Sequence, residues 1–472
     1  MAQPLYRQCA ERLAGAIRVG TYRPGDRLPS VRALARDWEV GINTVIEAYR
    51  ALEVDGLISA RPQAGFFVTS GSGALTPTTQ VTLDAPTAVT LGDLAVRVLS
   101  DGSIPGVVPL GAAWPDPAKL PRQDLTRVIQ RLLRDEGEAM LGYAALPGEP
   151  GFRGAVAKHF LSAGCQLHPD EIVATCGALE ALVLALRATC QPGAVVAVEA
   201  PTYYGVLQVL NGLGLRAVEI PCGAQSGMDL GALRFALAEH AVAAVLVIPN
   251  FSNPSGSLMP DAAKRELALL CAERGIPLIE DDVYGDLAHD GSRPTVCKGA
   301  APDDVILVGS FSKTVSPGLR LGFCAGGKWA AEIGRLKAAT SITAPTIAQR
   351  AVAHLLTSGA YDRHVRRIRP LYARTCHAMS QAISQAFPAG TRLSRPLGGY
   401  VLWVELPAGI DAVQLYEAGL HAGISTAPGP LFSARGRFAN CLRLTCSVWN
   451  AQRQSAVATL GQLAGKLALR AG

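Results

Sequence analysis

Ser310-Phe311-Ser312-Lys313, followed by Leu319-Arg320-Leu321-Gly322-Phe323, is the stretch on which the reading of this chain turns. A partly desolvated lysine near other positive charge can form a Schiff base with an aldehyde cofactor. The hydroxyls of Ser310 and Ser312 and the guanidinium of Arg320 are suited to hold a phosphate on that cofactor. Lysine is scarce here, only eight of the 44 basic residues, so its place inside this cluster carries weight.

The surroundings predict an α/β domain. From about residue 106 onward, apolar strand-like runs at 172–176, 194–199, 216–220, 243–249, 277–281 and 305–309 alternate with helical stretches. Such alternation builds a mostly parallel sheet. From about 360 an Arg-rich helix is followed by strands near 400–406 and 440–446, a smaller α+β subdomain.

Further chemistry sits at the ends of those runs. Cys176-Gly177-Ala178-Leu179-Glu180 joins a strand to a helix, and backbone N–H groups at a helix N-terminus suit a phosphate. Glu199-Ala200-Pro201-Thr202-Tyr203-Tyr204-Gly205 offers an aromatic ring, Tyr203 or alternatively Tyr204. Asn250-Phe251-Ser252-Asn253-Pro254-Ser255-Gly256 and Asp281-Asp282-Val283-Tyr284 follow apolar strands, and Arg443 lies within Leu442-Arg443-Leu444-Thr445-Cys446.

In this order the motifs of residues 110–450 resemble the fold-type I pyridoxal-phosphate enzymes of the aminotransferase superfamily. The resemblance implies pyridoxal 5'-phosphate as cofactor and Lys313 as the Schiff-base lysine. Ser310, Ser312, Arg320, Ala178 and Leu179 would hold the phosphate, although the family usually has Gln where Glu180 stands. Tyr203 would stack on the ring, Asn253 and Tyr284 would bond its oxygen, and Asp281 (with Asp282 the competitor) would pair with its nitrogen. Arg443 would clamp a substrate carboxylate, which a planar guanidinium fork matches. Gly111, before Trp114-Pro115-Asp116, would border the substrate, and Tyr143 in Tyr143-Ala144-Ala145-Leu146-Pro147-Gly148 would reach the neighbouring subunit's phosphate. A homodimer, head to tail, follows from that last role.

The first seventy residues read differently. Helical spacing of Leu5, Cys9, Leu13, Ala16 and Ile17 predicts one helix, and the 22–26 turn through Pro24 ends it. Ser30 can cap a second helix at 31–37. Gly41 leads into a third at 42–54, ended by Gly56 and followed by a hairpin around Pro62-Gln63-Ala64-Gly65. This is the outline of a winged helix-turn-helix. Tyr22-Arg23-Pro24-Gly25-Asp26-Arg27-Leu28-Pro29-Ser30-Val31-Arg32 and Asn43-Thr44-Val45 resemble the GntR-type winged helix. The resemblance implies double-stranded DNA as partner, with Ser30, Arg32, Asn43 and Thr44 facing it and Arg36, Arg50 and Arg61 as further candidates for phosphate. Gly41-Ile42 replaces the family's usual Ser-Arg.

Domains are therefore expected at 1–70 (DNA-binding), 71–105 (a flexible linker rich in Ser, Thr, Gly, Pro and Ala, with a short helix near 90–100) and 106–472 (effector). The combination resembles the MocR subfamily of transcriptional regulators, and His364, Arg366, Arg367 and Arg369 add to the likeness. It implies a DNA-binding regulator sensing an amine, an amino acid or the cofactor itself through Schiff-base chemistry at Lys313. Transamination would be residual. The alternative is a working aminotransferase with an accessory winged helix.

Composition is compatible with both. A chain of 472 residues holds two or three domains, and 49% hydrophobic against 17% charged residues is a globular balance. Net charge is +6, of which residues 1–70, with nine Arg and seven acids, carry little, so basic character alone does not identify the DNA-binding part. The most apolar stretch, 241–248, is too short to cross a bilayer. Met1-Ala2-Gln3-Pro4 lacks the basic and apolar regions of a secretion signal, and eleven cysteines are scattered without a metal-ligand spacing. The expectation is a cytoplasmic protein with reduced thiols, no metal and no membrane.

Overall fold

The computed structural model describes residues 4–23, 25–54, 57–61, 65–68, 76–77, 81–89, 92 and 94–471, without the side chains of Arg18, Val54, Ser59, Ala60, Arg61, Leu99 and Ala471. Two compact units divide the chain, Met1–Leu75 and Thr76–Gly472.

In the first unit three helices, α1 (Leu5–Arg18), α2 (Val31–Asp37) and α3 (Ile42–Val54), precede the strands β1 (Ile58–Arg61) and β2 (Gly65–Val68). The strands pair antiparallel with Ile58 opposite Val68. Val45, Ala48, Tyr49 and Leu52 form the buried stripe of α3 and meet Leu13, Leu34, Ile58 and Val68 in one core. The Tyr49 hydroxyl donates to the Pro29 carbonyl at 2.7 Å, and its ring packs edge-on to Phe66 at 4.8 Å. Turn and helix are thereby tied together behind α2. The order matches the winged-helix expectation. Pro24, the Gly56 stop, the 62–64 turn and the side chain of Arg61 lie outside the described residues.

The second unit is built on a mixed sheet. Its strands run in the order Thr87–Ala88 (β3), Arg216–Gly223, Val195–Ala200, Val242–Val247, Leu278–Asp281, Val305–Ser310, Gly322–Ala325 and Ile172–Thr175, with Gly227–Met228 paired to the side. The five strands from Arg216–Gly223 to Val305–Ser310 are parallel. Gly322–Ala325 runs antiparallel to both neighbours. It is four residues long, and the sequence pattern does not separate it from the Arg320 segment. Gly322 is where it closes on the phosphate loop: a Cβ there would lie 2.7 Å from both the Gly177 carbonyl carbon and the Gly309 oxygen. Beyond the helix Ala360–Ala386, a four-stranded sheet of Arg392–Leu393, Val401–Glu405, Cys441–Thr445 and Ala427–Pro428 forms the smaller subdomain.

Two expectations are corrected. The segment 71–105 is not a free linker from Val81 on: Thr87–Ala88 pairs antiparallel with Ala217 and Arg216, and Val89 is buried in the sheet's core. Arg437 and Arg435 bind Asp84 and the carbonyls of Thr82 and Ala85, and α4 (Leu94–Asp101) packs Ala95 and Val98 against Trp403 and Tyr416. An open sheet edge and buried apolar positions in α4 outweigh the flexible composition. Residues 71–75, 78–80, 90, 91 and 93 lie outside the described part. The thiols are also not all free. Cys376 and Cys446, with Cα atoms 5.2 Å apart, are joined as a disulfide, and the other nine cysteines form none.

Among the described residues no helix is long and apolar enough to cross a membrane, and no cluster of His, Cys, Asp or Glu could hold a metal ion.

Candidate functional site

Parallel strands deliver their C-terminal ends to one edge of a sheet, where ligands of open α/β folds bind. Asp281 ends one strand and Ser310 the next, and the loop to Tyr203 leaves a third. Lys313 lies just past Ser310. Its Nζ donates to the Ala113 carbonyl at 2.9 Å and sits 5.8 Å from the centre of the Tyr284 ring. Burial and the Arg443 cation, with Arg320 adding and Asp281 opposing, push the Lys313 amine down to about 8. A lysine so poised is partly the free amine near neutral pH.

The expected carboxylate, Asp281, and its competitor, Asp282, have separate surroundings. Asp282 pairs with Arg293 and accepts from Asn250 Nδ2 at 2.7 Å. Asp281 accepts only a long bond from the Val283 N–H, 3.2 Å. Burial and the neighbouring Asp282 push Asp281 up to about 7, against a pull from Lys313.

Arg443 is wholly buried on the strand Cys441–Thr445. Its two Nη atoms donate to Asn253 Oδ1, at 3.0 Å, and to the Gly111 carbonyl, while Nε has no partner. Gly111 is obligatory there, since a Cβ would lie 2.4 Å from the Thr426 carbonyl carbon. The rings of Phe432 and Tyr204 flank the guanidinium at 5.3 and 5.8 Å. Tyr204 is thus a core residue, packed on Phe432, and Tyr203 is the half-buried ring of the pair. Gly205 makes room for it, because a Cβ there would strike the Tyr203 ring at 2.4 Å. The buried phenols of Tyr284 and Tyr400 influence each other electrostatically, yet neither oxygen makes a sound hydrogen bond.

The phosphate candidates also converge. Gly177, at φ +86°, turns the chain into the helix Ala178–Thr189, whose first residues are Ala178 and Leu179. Arg320, in the left-handed region at φ +48°, reaches back to the Cys176 carbonyl at 3.1 Å. A Cβ on Gly177 would lie 2.7 Å from Arg320 Nη2. Ser310 and Ser312 join their hydroxyls at 3.0 Å beside this turn. Tyr143 is not brought to the site within one chain; it is 83% exposed.

The donor set fits pyridoxal phosphate. It comprises an amine of lowered basicity, a carboxylate without an ion pair in its strand turn, unpartnered Tyr284 and Arg443 groups, and a helix N-terminus faced by a guanidinium. Lys337 and Arg293 escaped the sequence reading: Lys337 binds Glu180 at 2.8 Å from a distant helix, and no local pattern marks either basic residue.

On the first unit, Ser30 caps α2 by accepting from the Ala33 N–H at 3.2 Å. Arg32 and Asn43 are exposed, and Thr44 is half-buried in the first turn of α3. Arg50 and Arg36 are engaged by acids of their own helices, Glu47 at 2.5 Å and Asp37 at 3.8 Å.

Comparison with known proteins gives the same two parts. Residues 5–68 match the bacterial regulatory proteins of the gntR family, and residues 108–460 match aminotransferase class I and II. The uncharacterized HTH-type transcriptional regulators YjiR and YdcR of Escherichia coli are each 36% identical, over 94% and 97% of this chain and 95% and 98% of their own. The 2-aminoadipate transaminase of Thermus thermophilus is 33% identical over 72% of this chain and 85% of its own. A crystal structure of LysN, an α-aminoadipate aminotransferase from the same organism, holds N-(5'-phosphopyridoxyl)-L-leucine. It superposes with a TM-score of 0.74 at 30% identity, covering 80% of this chain and 98% of that one. The cofactor of this fold is pyridoxal phosphate. With its gntR-type winged helix and its aminotransferase class I and II domain in one polypeptide, the chain belongs to the MocR subfamily of transcriptional regulators.

Proposed function

We propose that this chain is a DNA-binding regulator that senses a carboxylate-bearing primary amine at Lys313. The observation that carries this reading is the convergence of Lys313, Asp281 and Arg443 in a chain that begins with a winged helix. Bound pyridoxal phosphate supplies an aldehyde that captures primary amines and a ring that withdraws electrons. The protein's own groups do the rest. Lys313, free amine in part at neutral pH, would be the residue that holds the aldehyde carbon in the absence of a ligand amine. Asp281 would hold a proton at the ring nitrogen, Asn253 and Tyr284 would orient the ring oxygen, and Tyr203 would cover the ring face. Arg320, Ser310, Ser312 and the amides of Ala178 and Leu179 would take the phosphate. Arg443 selects a carboxylate and Gly111 borders it. Ser30, Arg32, Asn43 and Thr44 are the DNA-facing set.

Release of Lys313 can alter DNA affinity only if the ligand distinguishes two arrangements of the protein. The active unit in this reading is a head-to-tail homodimer in which the exposed Tyr143 serves the neighbouring site. Fluorescence anisotropy on the chain's own promoter region, with and without cofactor and amino acids, tests the proposal. Salt-sensitive, sequence-preferring binding that shifts with an amino acid supports it; binding indifferent to every amine titrated at the cofactor overturns the sensing role.

A second reading has its own support. The groups named above suffice for transamination, and the 2-aminoadipate transaminase relative aligns over 72% of this chain. Sustained keto-acid production over many turnovers would favour an enzyme, and single-turnover conversion a sensor.

A further inference from the structure

Behind the phosphate cradle lies an ion pair between a half-buried acid and a fully buried lysine that none of the roles above uses. Glu180 is the third residue of the helix Ala178–Thr189, immediately after the two residues whose amides face the phosphate candidate. Its Oε2 accepts from the Cys176 N–H at 2.6 Å, so the carboxylate is folded back under the loop itself. Lys337, on the helix Ala330–Ser341, has a fully buried side chain and donates to Glu180 Oε2 at 2.8 Å and to Ser341 Oγ at 2.7 Å. Ser341 in turn donates to Glu180 Oε1. Burial pushes Glu180 up, but the bonds from Lys337, Ser341 and the Cys176 amide outweigh it and hold the carboxyl below its usual range. A negative charge therefore stands next to a site for an anion, with Glu180 half-buried and its partner Lys337 fully buried. Alone it would oppose a phosphate by several-fold to many-fold in affinity.

We propose that Lys337 is a positioning residue for the cofactor: by neutralising Glu180 it sets the affinity of the Gly177–Arg320 cradle for phosphate. Glu180 keeps the loop turned through its bond to Cys176, and Lys337 cancels the charge this arrangement introduces. The proposal rests on the cofactor assignment and concerns only its phosphate end.

The test titrates pyridoxal 5'-phosphate and, separately, unphosphorylated pyridoxal into the full-length protein, reading dissociation constants from cofactor absorbance and folding from circular dichroism. Lys337→Met should weaken pyridoxal phosphate about ten-fold or more and pyridoxal far less. The double variant E180Q/K337M should return to within about two-fold of the original protein, because the pair acts as one unit. Glu180→Gln alone leaves the cation uncancelled and should raise the preference for the phosphorylated ligand, which keeps the proposal testable if Lys337→Met does not fold. The proposal is overturned if K337M binds the two ligands in the original ratio, if the double variant is as weak as K337M, or if E180Q leaves the ratio unchanged. An unaltered protein that binds neither ligand overturns the cofactor assignment instead.

Discussion

Asp281 and Asp282 are chain neighbours held by opposite means: Arg293 pairs with Asp282, while Asp281 ends its strand with only the Val283 amide and the field of Lys313. Substituting each should separate their roles. Asp281→Asn should leave the fold intact and, by depriving the ring nitrogen of its counter-ion, shift the cofactor's absorbance and slow amine exchange about 100-fold or more. Asp282→Asn removes one of the two carboxylates that pair with the buried Arg293, Asp286 remaining at 2.9 Å, and should cost about 1–3 kcal/mol of stability. Absorbance titration and thermal melts of both variants distinguish these effects.

The buried acids give the cofactor-free protein a characteristic pH response. Burial lifts Glu199 to about 8, and Asp281 and Glu280 to about 7, Asp282 adding to both of the latter. Between their ordinary values and these, the folded chain retains protons that the unfolded chain has released. Stability therefore falls as pH rises from about 4 to about 8. Lys313 acts in the opposite sense above that window: its value of about 8 lies below that of an unfolded lysine, so between about pH 8 and about pH 10 the unfolded chain holds the extra proton and the Lys313 contribution to stability rises with pH. Denaturation midpoints measured from pH 5 to pH 8 should decline, and Asp281→Asn should flatten the decline.

Lys313→Ala should abolish the imine absorbance and the covalent adduct trapped by borohydride, without a change in circular dichroism. In the unaltered protein the rate of adduct formation should climb as pH rises through about 8, where the amine becomes free. Stopped-flow absorbance between about pH 6.5 and 9.5 measures it.

Most of this architecture is legible in the sequence because it depends on local signals. The winged helix announces itself through Ser30 as a cap, Gly41 before α3 and the apolar stripe from Val45 to Leu52. Lys313, Asn253 and Asp281 are legible because strand ends fix where a side chain points. The sequence already prefers Asp281 to Asp282 and Tyr203 to Tyr204; what it does not show is that Arg293 engages Asp282 and Phe432 packs on Tyr204, since neither is adjacent in the chain to the residue it engages. The docking of Thr87–Ala88 was hidden for the same reason. Its composition is that of a linker, and only the unpaired edge of Arg216–Gly223 makes it a strand. Lys337 was invisible because nothing near it in sequence announces Glu180, which lies 157 residues away.

The Arg443 clamp predicts a ligand preference. Arg443→Ala leaves Asn253 Oδ1 and the Gly111 carbonyl without their donor. It should weaken amino acids by about 100-fold, while an amine lacking a carboxylate changes little. Arg443→Lys keeps the charge but loses the fork, and should recover only part of the loss. Displacement of Lys313 followed by absorbance, with alanine and ethylamine compared, checks both.

Arg32 provides the corresponding test at the other end of the chain. It projects from the first turn of α2, exposed, with its helix start fixed by the Ser30 cap. If it meets a phosphate, Arg32→Ala should weaken DNA binding uniformly across sequences and reduce the slope of log affinity against log salt by about 1. If it reads a base edge, the loss should instead be about 1–3 kcal/mol at one operator position and leave non-specific binding intact. Ser30→Ala removes the cap and should cost about 1 kcal/mol of winged-helix stability, which separates a folding effect from a contact. Anisotropy titrations at several salt concentrations, with cofactor absorbance as the control, decide among these; affinity unchanged at every salt concentration would remove Arg32 from the interface.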